Sequence, residues 1–383
     1  MNIGLLIPRF PPDVIGGAEL QLKQLATELA RRRHHVTVFT RRYHGRPYLQ
    51  PQDGYLIHRR NELSIPALRL LWDTFLALRH IAQQRPRPQV LLCYLTFNSG
   101  FIGVMAQAVL GIPAIVSIRG NNEYLLHRSL TNRFLVPGIY RRARYIIVQS
   151  PRIRDDLQAQ LKLAGQAALS ETLRPKIKVI PNGIHLPNGI QSHGTKVIYV
   201  GRLIKNKGVA DLLLAMKQLH STPRVVPPVG GYRGAPGAEV LIVGDGPDRE
   251  RLETLAQGMP VTFVGEVKPA VVIDYLQQAR VLVLPSHLGD GLPNVILEAM
   301  ACGVPVVTTC TAGMPDLVRH GETGFLFEPG EIQQMVSYID RLLTDDGLWR
   351  RMGKCSLEVV QPYSWDVITP QIEQLLLSAS SHC

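Results

Sequence analysis

Two carboxylates eight positions apart, Asp290 and Glu298, stand in GDGLPNVILEAMACGVPVV (289–307), the second of them amid Val295, Ile296, Leu297 and Met300. A carboxylate in such surroundings costs energy unless hydrogen-bond donors meet it, and a pair of vicinal hydroxyls would do so. Asp290, Gly291 and Leu292 lead into Pro293 and Asn294, so a helix is expected with Pro293 as its first residue, ending before Gly303 and Pro305. The free N–H groups and positive dipole end of that helix would attract an anion. A second stretch, GRLIKNKG (201–208), sets Arg202 and Lys207 at the mouth of an expected strand with Gly208 just before the next helix. Two cations so placed suit a diphosphate. IGGAE (15–19) and GDGPDR (244–249) also follow expected strands, yet none of the three loops fits GxGxxG or the P-loop pattern. Neither a nicotinamide cofactor nor a P-loop mechanism is therefore expected.

The elements that must position these residues repeat along the chain. NIGLLIP reads as a buried parallel strand, followed after a Gly-containing loop by AELQLKQLATELARRRHH with helical spacing of Leu20, Leu25 and Leu29. VTVFT, VLLCYL, AIVSI, YIIVQS and KIKVIPNGI continue the alternation, which indicates a parallel doubly wound sheet. After the polar stretch PNGIQSHGT a second series runs through KVIYVG, EVLIVGDG, VTFVG, RVLVLPS and VPVVTT. The expected fold class is α/β, with two Rossmann-like domains facing across a cleft. Open parallel sheets bind ligands beyond the carboxyl ends of their strands, so function is expected in loops from both domains. STPRVVPPVGGYRGAPGA, rich in Pro and Gly, reads as a surface loop insertion.

A length of 383 residues exceeds what one core usually supports, which agrees with two domains. Five scattered cysteines form no CxxC pair, so neither a disulfide framework nor a zinc site is expected, and a reducing cytosol fits. MNIGLLIPRFPP lacks the basic leader of a signal peptide, and the apolar run from Phe101 is cut by Gly111 and Pro113. Charge is uneven: residues 1–187 carry 26 basic against 10 acidic side chains, residues 188–383 carry 16 against 20. A basic half invites an anionic partner. IPALRLLWDTFLALRHIAQQRPRP from Ile65 mixes Trp72 and Phe75 with arginines, as an interfacial helix would, although a helix packed into the first domain is the plainer reading. With RRRHH (31–35) and RRAR (141–144) it suggests an anionic membrane surface at the inner face of the cell membrane. Nucleic acid is not expected, because no aromatic stacking platform interleaves the basic residues.

PSHLGDGLPNVILEAMACGVPVV resembles the E-x7-E signature of family 4 glycosyltransferases, and GRLIKNKG, VGDGPDR, VIPNGI, IGGAE and YSW resemble that family's other landmarks in the same order. The resemblance implies a GT-B fold and a retaining, metal-independent transfer of a sugar from a nucleotide diphosphate sugar, with no cofactor beyond that co-substrate. It implies three domain segments: 1–187 for the acceptor, 188–364 for the nucleotide sugar, and a helix from 365–383 packing back on the first. It further implies that Arg202 and Lys207 hold the donor diphosphate, Glu298 the ribose and Asp290 the sugar, with Gly291, Leu292, Pro293 and Asn294 at the same helix start. Gly16 and Gly17 would let backbone approach the phosphates, and the main chain at Glu266 and Val267 would face the base. Arg119, Gly120 and Asn121 would lie on the acceptor side, where a glycan or lipid-linked acceptor is expected. Two departures stand out. Asp290 takes the place of the family's first glutamate, and the histidine often found near position 119 is absent. A nucleotide-sugar isomerase or epimerase of the same fold, or a non-catalytic sugar-nucleotide-binding subunit, remains the alternative.

Overall fold

The computed structural model describes residues 1–12, 16–43, 45–61, 66–120, 123–126, 130–187, 194–221, 238–288 and 291–381, with the side chains of 66–69 and 130–131 set aside. Asp290, Asn121 and the Pro- and Gly-rich stretch 222–237 lie outside these residues. The chain divides into two compact units, Met1–Gly183 with Trp365–Cys383, and Ile184–Ser364.

The first unit is built on eight strands: β1 (Asn2–Leu6), β2 (His35–Arg41), β3 (Leu49–Gln52), β4 (Tyr55–Arg60), β5 (Val90–Tyr94), β6 (Ala114–Ser117), β7 (Tyr145–Val148) and β8 (Ile177–Val179). Their order across the sheet is β3-β4-β2-β1-β5-β6-β7-β8. All neighbours are parallel except β3 and β4, which form an antiparallel edge around Asp53 and Gly54, both at positive φ. The doubly wound reading did not anticipate that hairpin, although Asp-Gly between short strands is a known hairpin signal. The strands β5, β6 and β7 are almost wholly buried because helices cover both faces, which is why they read as unbroken apolar runs. On one face the helix Gly17–Arg31 contributes Leu22, Leu25 and Leu29 to a core shared with Trp365, Ile368, Ile372 and Leu376 of the helix Trp365–Ser380. Glu373 of that last helix meets Arg32 at 2.9 Å and His34 at 2.6 Å.

The second unit holds six parallel strands: β9 (Lys196–Val200), β10 (Val240–Val243), β11 (Val261–Gly265), β12 (Ala279–Leu284), β13 (Val306–Thr309) and β14 (Gly324–Phe327). Their order is β11-β10-β9-β12-β13-β14. From β9 the chain steps outward to β10 and β11, then returns to place β12 on the other side of β9. Connections leave β9 and β12 in opposite directions, so the carboxyl ends of these neighbours form a crevice that no crossover covers. Among the described residues, no helix is long and apolar enough to cross a membrane.

Candidate functional site

The residues singled out by type fall on the carboxyl edges of the two sheets. In the second unit the loop leaving β9 is held by glycines that let backbone meet backbone. A Cβ on Gly244 would strike the Gly201 carbonyl, and one on Gly246 the Leu203 carbonyl. Leu203 N–H donates to Asp245 O at 2.9 Å, and Asp248 N–H returns to Leu203 O at 3.0 Å. Tyr199, buried on β9, donates its phenol to Arg202 O at 3.0 Å. The loops after β9 and β10 thus interlock, which fixes where Arg202 leaves the chain.

Lys207 ends a single 3-10 turn, Lys205–Lys207, and Gly208 follows at φ 69°. A side chain at Gly208 would also collide with the Pro285 carbonyl beyond β12, so glycine is required there twice over. The loop after β12 reciprocates: His287 N–H donates to Asn206 O at 2.9 Å, and His287 Nε2 meets Asp211 at 2.6 Å. Thr309 at the end of β13 donates to Ser286 O at 2.8 Å. Lys207 is half-buried, and desolvation with the nearby charge of Arg202 lowers its pKa to about 8. Two cations are held together with no acid paired to Arg202 among the described residues. An anion between them would relieve both the burial and the repulsion.

The helix following β12 spans Asn294–Ala301, with Pro293 at the capping position, one residue earlier in role than expected, and no side chain capping it. Pro293 has ψ 122°, extended and not helical, so its ring closes the approach while the first N–H groups fall to Asn294 and its successors. Gly291, buried at φ 40°, turns the chain into this start and accepts from Gly313 N–H at 3.1 Å. Glu298 sits one turn into the helix. Burial alone raises its pKa to about 7, with no hydrogen bond counteracting the shift. Neighbouring Ile296, Leu297, Ala299 and Met300 are buried core, which explains that desolvation. Glu266 and Val267 follow β11, where Gly265 O accepts from Gly244 N–H at 2.8 Å. The second unit therefore brings Arg202, Lys207, Gly291, Leu292, Pro293, Asn294 and Glu298 to the ends of the adjacent strands β9 and β12, and Glu266 and Val267 two strands away.

In the first unit Gly16 caps the helix Gly17–Arg31, and a Cβ there would strike the Glu19 carboxylate, which lies back over the helix start. Arg119 leaves β6 and is gripped from several sides. Its Nη1 donates to Asn182 at 2.7 Å and its guanidinium lies 3.8 Å from the Tyr94 ring centroid. Beside it stands Glu123, which the sequence reading did not single out. Glu123 accepts from Thr96 N–H at 2.7 Å, Thr96 Oγ1 at 2.9 Å, Arg119 N–H at 2.6 Å and Gly120 N–H at 2.9 Å. Burial raises its pKa in spite of these four donors. Asn182 also accepts from Gln149 Nε2 at 2.7 Å, so the network ties together the carboxyl ends of β5, β6, β7 and β8. Leu95, at φ 74° without being glycine, turns β5 sharply into the π-helical turn Thr96–Gly100 that feeds Glu123. An acid four residues past an arginine in an irregular stretch was the only trace of this in the sequence. The hollow of about 520 Å³ lined by His35, Gln52 and Arg85 lies at the amino ends of the strands, away from all of these residues.

Comparison with known proteins now decides the family. Residues 15–187 match the model for Glycosyltransferase Family 4, and residues 184–358 match that for Glycosyl transferases group 1. The chain belongs to glycosyltransferase family 4. It is a glycosyltransferase with the two parallel-sheet units of the GT-B architecture. The sulfoquinovosyl transferase SQD2 of Arabidopsis thaliana is 32% identical over 295 residues, covering 73% of this chain and 54% of the plant protein. The chain thus spans about half the length of that relative. An uncharacterized glycosyltransferase of Methanocaldococcus jannaschii is 25% identical over 403 residues, covering 97% and 96% of the two chains. The fold is shared with sucrose-phosphate synthase from Thermosynechococcus elongatus (TM-score 0.81, 24% identity, 100% of both chains). It is also shared with Anabaena HepE in complex with UDP-glucose (TM-score 0.73, 21% identity, 99% of this chain and 100% of that one).

Proposed function

We propose that this glycosyltransferase takes its sugar from a nucleotide diphosphate sugar, without a metal ion and with retention of anomeric configuration, and passes it to a glycan or lipid-linked acceptor. The observation that carries the reading is the half-buried Lys207, desolvated and facing the charge of Arg202 at the switch point of a parallel sheet. Departure of a nucleoside diphosphate puts negative charge on the leaving phosphates, and fixed cations in a partly dry site stabilise that charge best. Glu298, its carboxyl desolvated, is suited to the ribose hydroxyls. The positive dipole end of the helix Asn294–Ala301, with Gly291 and Leu292 before it, adds to the attraction for an anion. Asp290 is assigned to the donor sugar and the main chain at Glu266 and Val267 to the base. HepE with UDP-glucose and a starch synthase with ADP lend support, because proteins of this fold carry such nucleotides.

In the first unit the proposal gives Gly16 and Gly17 a backbone role toward phosphate and Arg119 with Gly120 the acceptor side. Among the described residues, a Cβ on Gly120 would meet nothing within 4 Å. Retention follows from same-face attack in which the leaving phosphate takes the acceptor proton. The enzyme is placed in the cytoplasm, peripheral on an anionic membrane surface.

A thermal-shift panel of UDP-, GDP-, ADP- and TDP-sugars tests the donor reading, since a ligand at 100 times its dissociation constant adds ~2.7 kcal/mol of stability. One donor is expected to stabilise the protein. Arg202→Ala or Lys207→Ala is expected to lose about 2–5 kcal/mol of transition-state binding, and wild-type turnover in both would overturn the assignment.

A further inference from the structure

Three helices lie side by side over one face of the first sheet: Pro66–Gln83, Phe101–Leu110 and Leu130–Arg142. The first of them buries Ala77 and Ile81 in the core but departs from the usual polarity at its middle. Its acid, Asp73, is buried against Arg41 at 3.1 Å, while Leu71, Trp72 and Phe75 face outward at 66%, 43% and 57% exposure. The Trp72 and Phe75 rings lie 6.1 Å apart on that outer side, and Arg79, one turn beyond Phe75, is exposed with them. The neighbouring helices extend the same character. Val109 and Phe134 are 62% and 71% exposed, and Arg133, Arg141 and Arg142 of the same helix as Phe134 are exposed. Apart from Asp73, the sequences of these three helices contain no acidic residue.

A water-facing surface would not be expected to hide its acid and display its aromatic rings. An acceptor glycan would want hydrogen-bonding partners, which Leu71, Val109 and Phe134 do not offer. Aromatic and aliphatic side chains set among arginines, with no exposed acid in these three helices to repel phosphate, match the boundary of an anionic bilayer. We propose that this face docks on an anionic lipid surface, with Leu71, Trp72, Phe75 and Phe134 entering the headgroup region and Arg79, Arg133, Arg141 and Arg142 meeting lipid phosphates. The inference rests on the peripheral-membrane reading above and names the surface that carries it.

The test is co-sedimentation of the full chain with phosphatidylcholine vesicles and with vesicles containing phosphatidylglycerol. Binding is expected to the anionic vesicles and to weaken with added salt, because contacts beyond a Debye length of ~8 Å are screened. Leu71→Ser/Trp72→Ser/Phe75→Ser removes apolar groups that are already exposed, and is expected to reduce vesicle partition about tenfold or more. Arg133→Glu/Arg142→Glu is expected to abolish the preference for phosphatidylglycerol. Trp72 is expected to be quenched by brominated lipid in the wild type, since Trp365 is buried and Trp349 is half-buried in the second unit against Arg280, and Trp72→Phe should remove most of that quenching. The sugar-nucleotide thermal shift should persist in all variants, which separates this proposal from the donor assignment. Vesicle binding undiminished in the triple variant would overturn the face while leaving membrane association standing. Failure of the wild type to bind any vesicle would overturn both. A concentration-dependent dimer abolished by the triple variant, without vesicle binding, would give the surface to a second copy of the chain instead.

Discussion

Two groups with opposed shifts should give donor binding a narrow optimum in pH. Lys207, desolvated and beside Arg202, has its pKa lowered to about 8. If the complex keeps it charged, affinity is full below that value and fades above it. At pH 9 roughly one free molecule in eleven still carries the proton, so the apparent Kd rises about tenfold, or ~1.4 kcal/mol. Glu298 works in the other sense, since burial lifts its pKa to about 7. If ribose hydroxyls are bound by the ionised form, affinity is full above that value and fades below it. At pH 6 about one molecule in eleven is ionised, and the loss is again about tenfold. The two limbs enclose an optimum between the two values. Calorimetric titration with a sugar nucleotide reads the effect cleanly, because its phosphodiesters keep a constant charge across the range. Lys207→Arg should flatten the alkaline limb alone, since a guanidinium stays protonated. Glu298→Gln should flatten the acid limb alone. A wild-type profile without curvature, or an acid limb that survives in Glu298→Gln, would refute the assignment of these two side chains to the donor.

Other perturbations separate structure from chemistry. The raised pKa of Glu298 means its stabilising share is present below the unfolded value and lost as pH rises through about 7, so the ionised carboxyl burdens the ligand-free protein at pH 8. Glu298→Gln should then raise unfolding stability there by up to ~3 kcal/mol, and an unchanged urea midpoint would count against the buried charge. Gly208→Ala forces a Cβ into the Pro285 carbonyl at positive φ and should cost about 2–4 kcal/mol while displacing Lys207. A stable Gly208→Ala enzyme with normal donor affinity would show that the loop can be rebuilt. Each Glu123 oxygen accepts two of the four contacts, so Glu123→Gln sets an amide NH2 against two of the donors and should lose about 1–3 kcal/mol of stability and raise the acceptor KM more than the donor KM. Equal effects on both KM values would make Glu123 a purely structural residue.

How much was legible follows from how local each signal is. The strands β5, β9, β10, β12 and β13 declare themselves because buried parallel strands are continuous apolar runs. Arg202, Lys207, Gly208 and Glu298 could be singled out because each violates its surroundings: paired cations at a strand end, a glycine before a helix, an acid on an apolar helix. The edge strands β3 and β14 are short, and β3 is polar, so neither showed a period. The Glu123 network was invisible for a different reason. Its partners come from Thr96, Arg119, Gln149 and Asn182, and only the sheet order brings the ends of four strands together. The polarity of the helix Pro66–Gln83 was likewise hidden. Arg41 lies 32 positions before the acid it covers, so nothing nearby in the sequence shows that Asp73 points inward and Trp72 outward.

The helix Trp365–Ser380 has a bearing on how the chain is made. It belongs to the first unit, where Trp365 lies against Gly183 so closely that a Cβ on that glycine would enter the indole. Leu22, Leu25 and Leu29 gain their cover from residues translated after the whole of Ile184–Ser364 has emerged. During synthesis the sheet of the first unit must therefore wait, with part of its apolar surface open to chaperones, for a segment made some 180 residues after Gly183, while the second unit can close as soon as it leaves the ribosome.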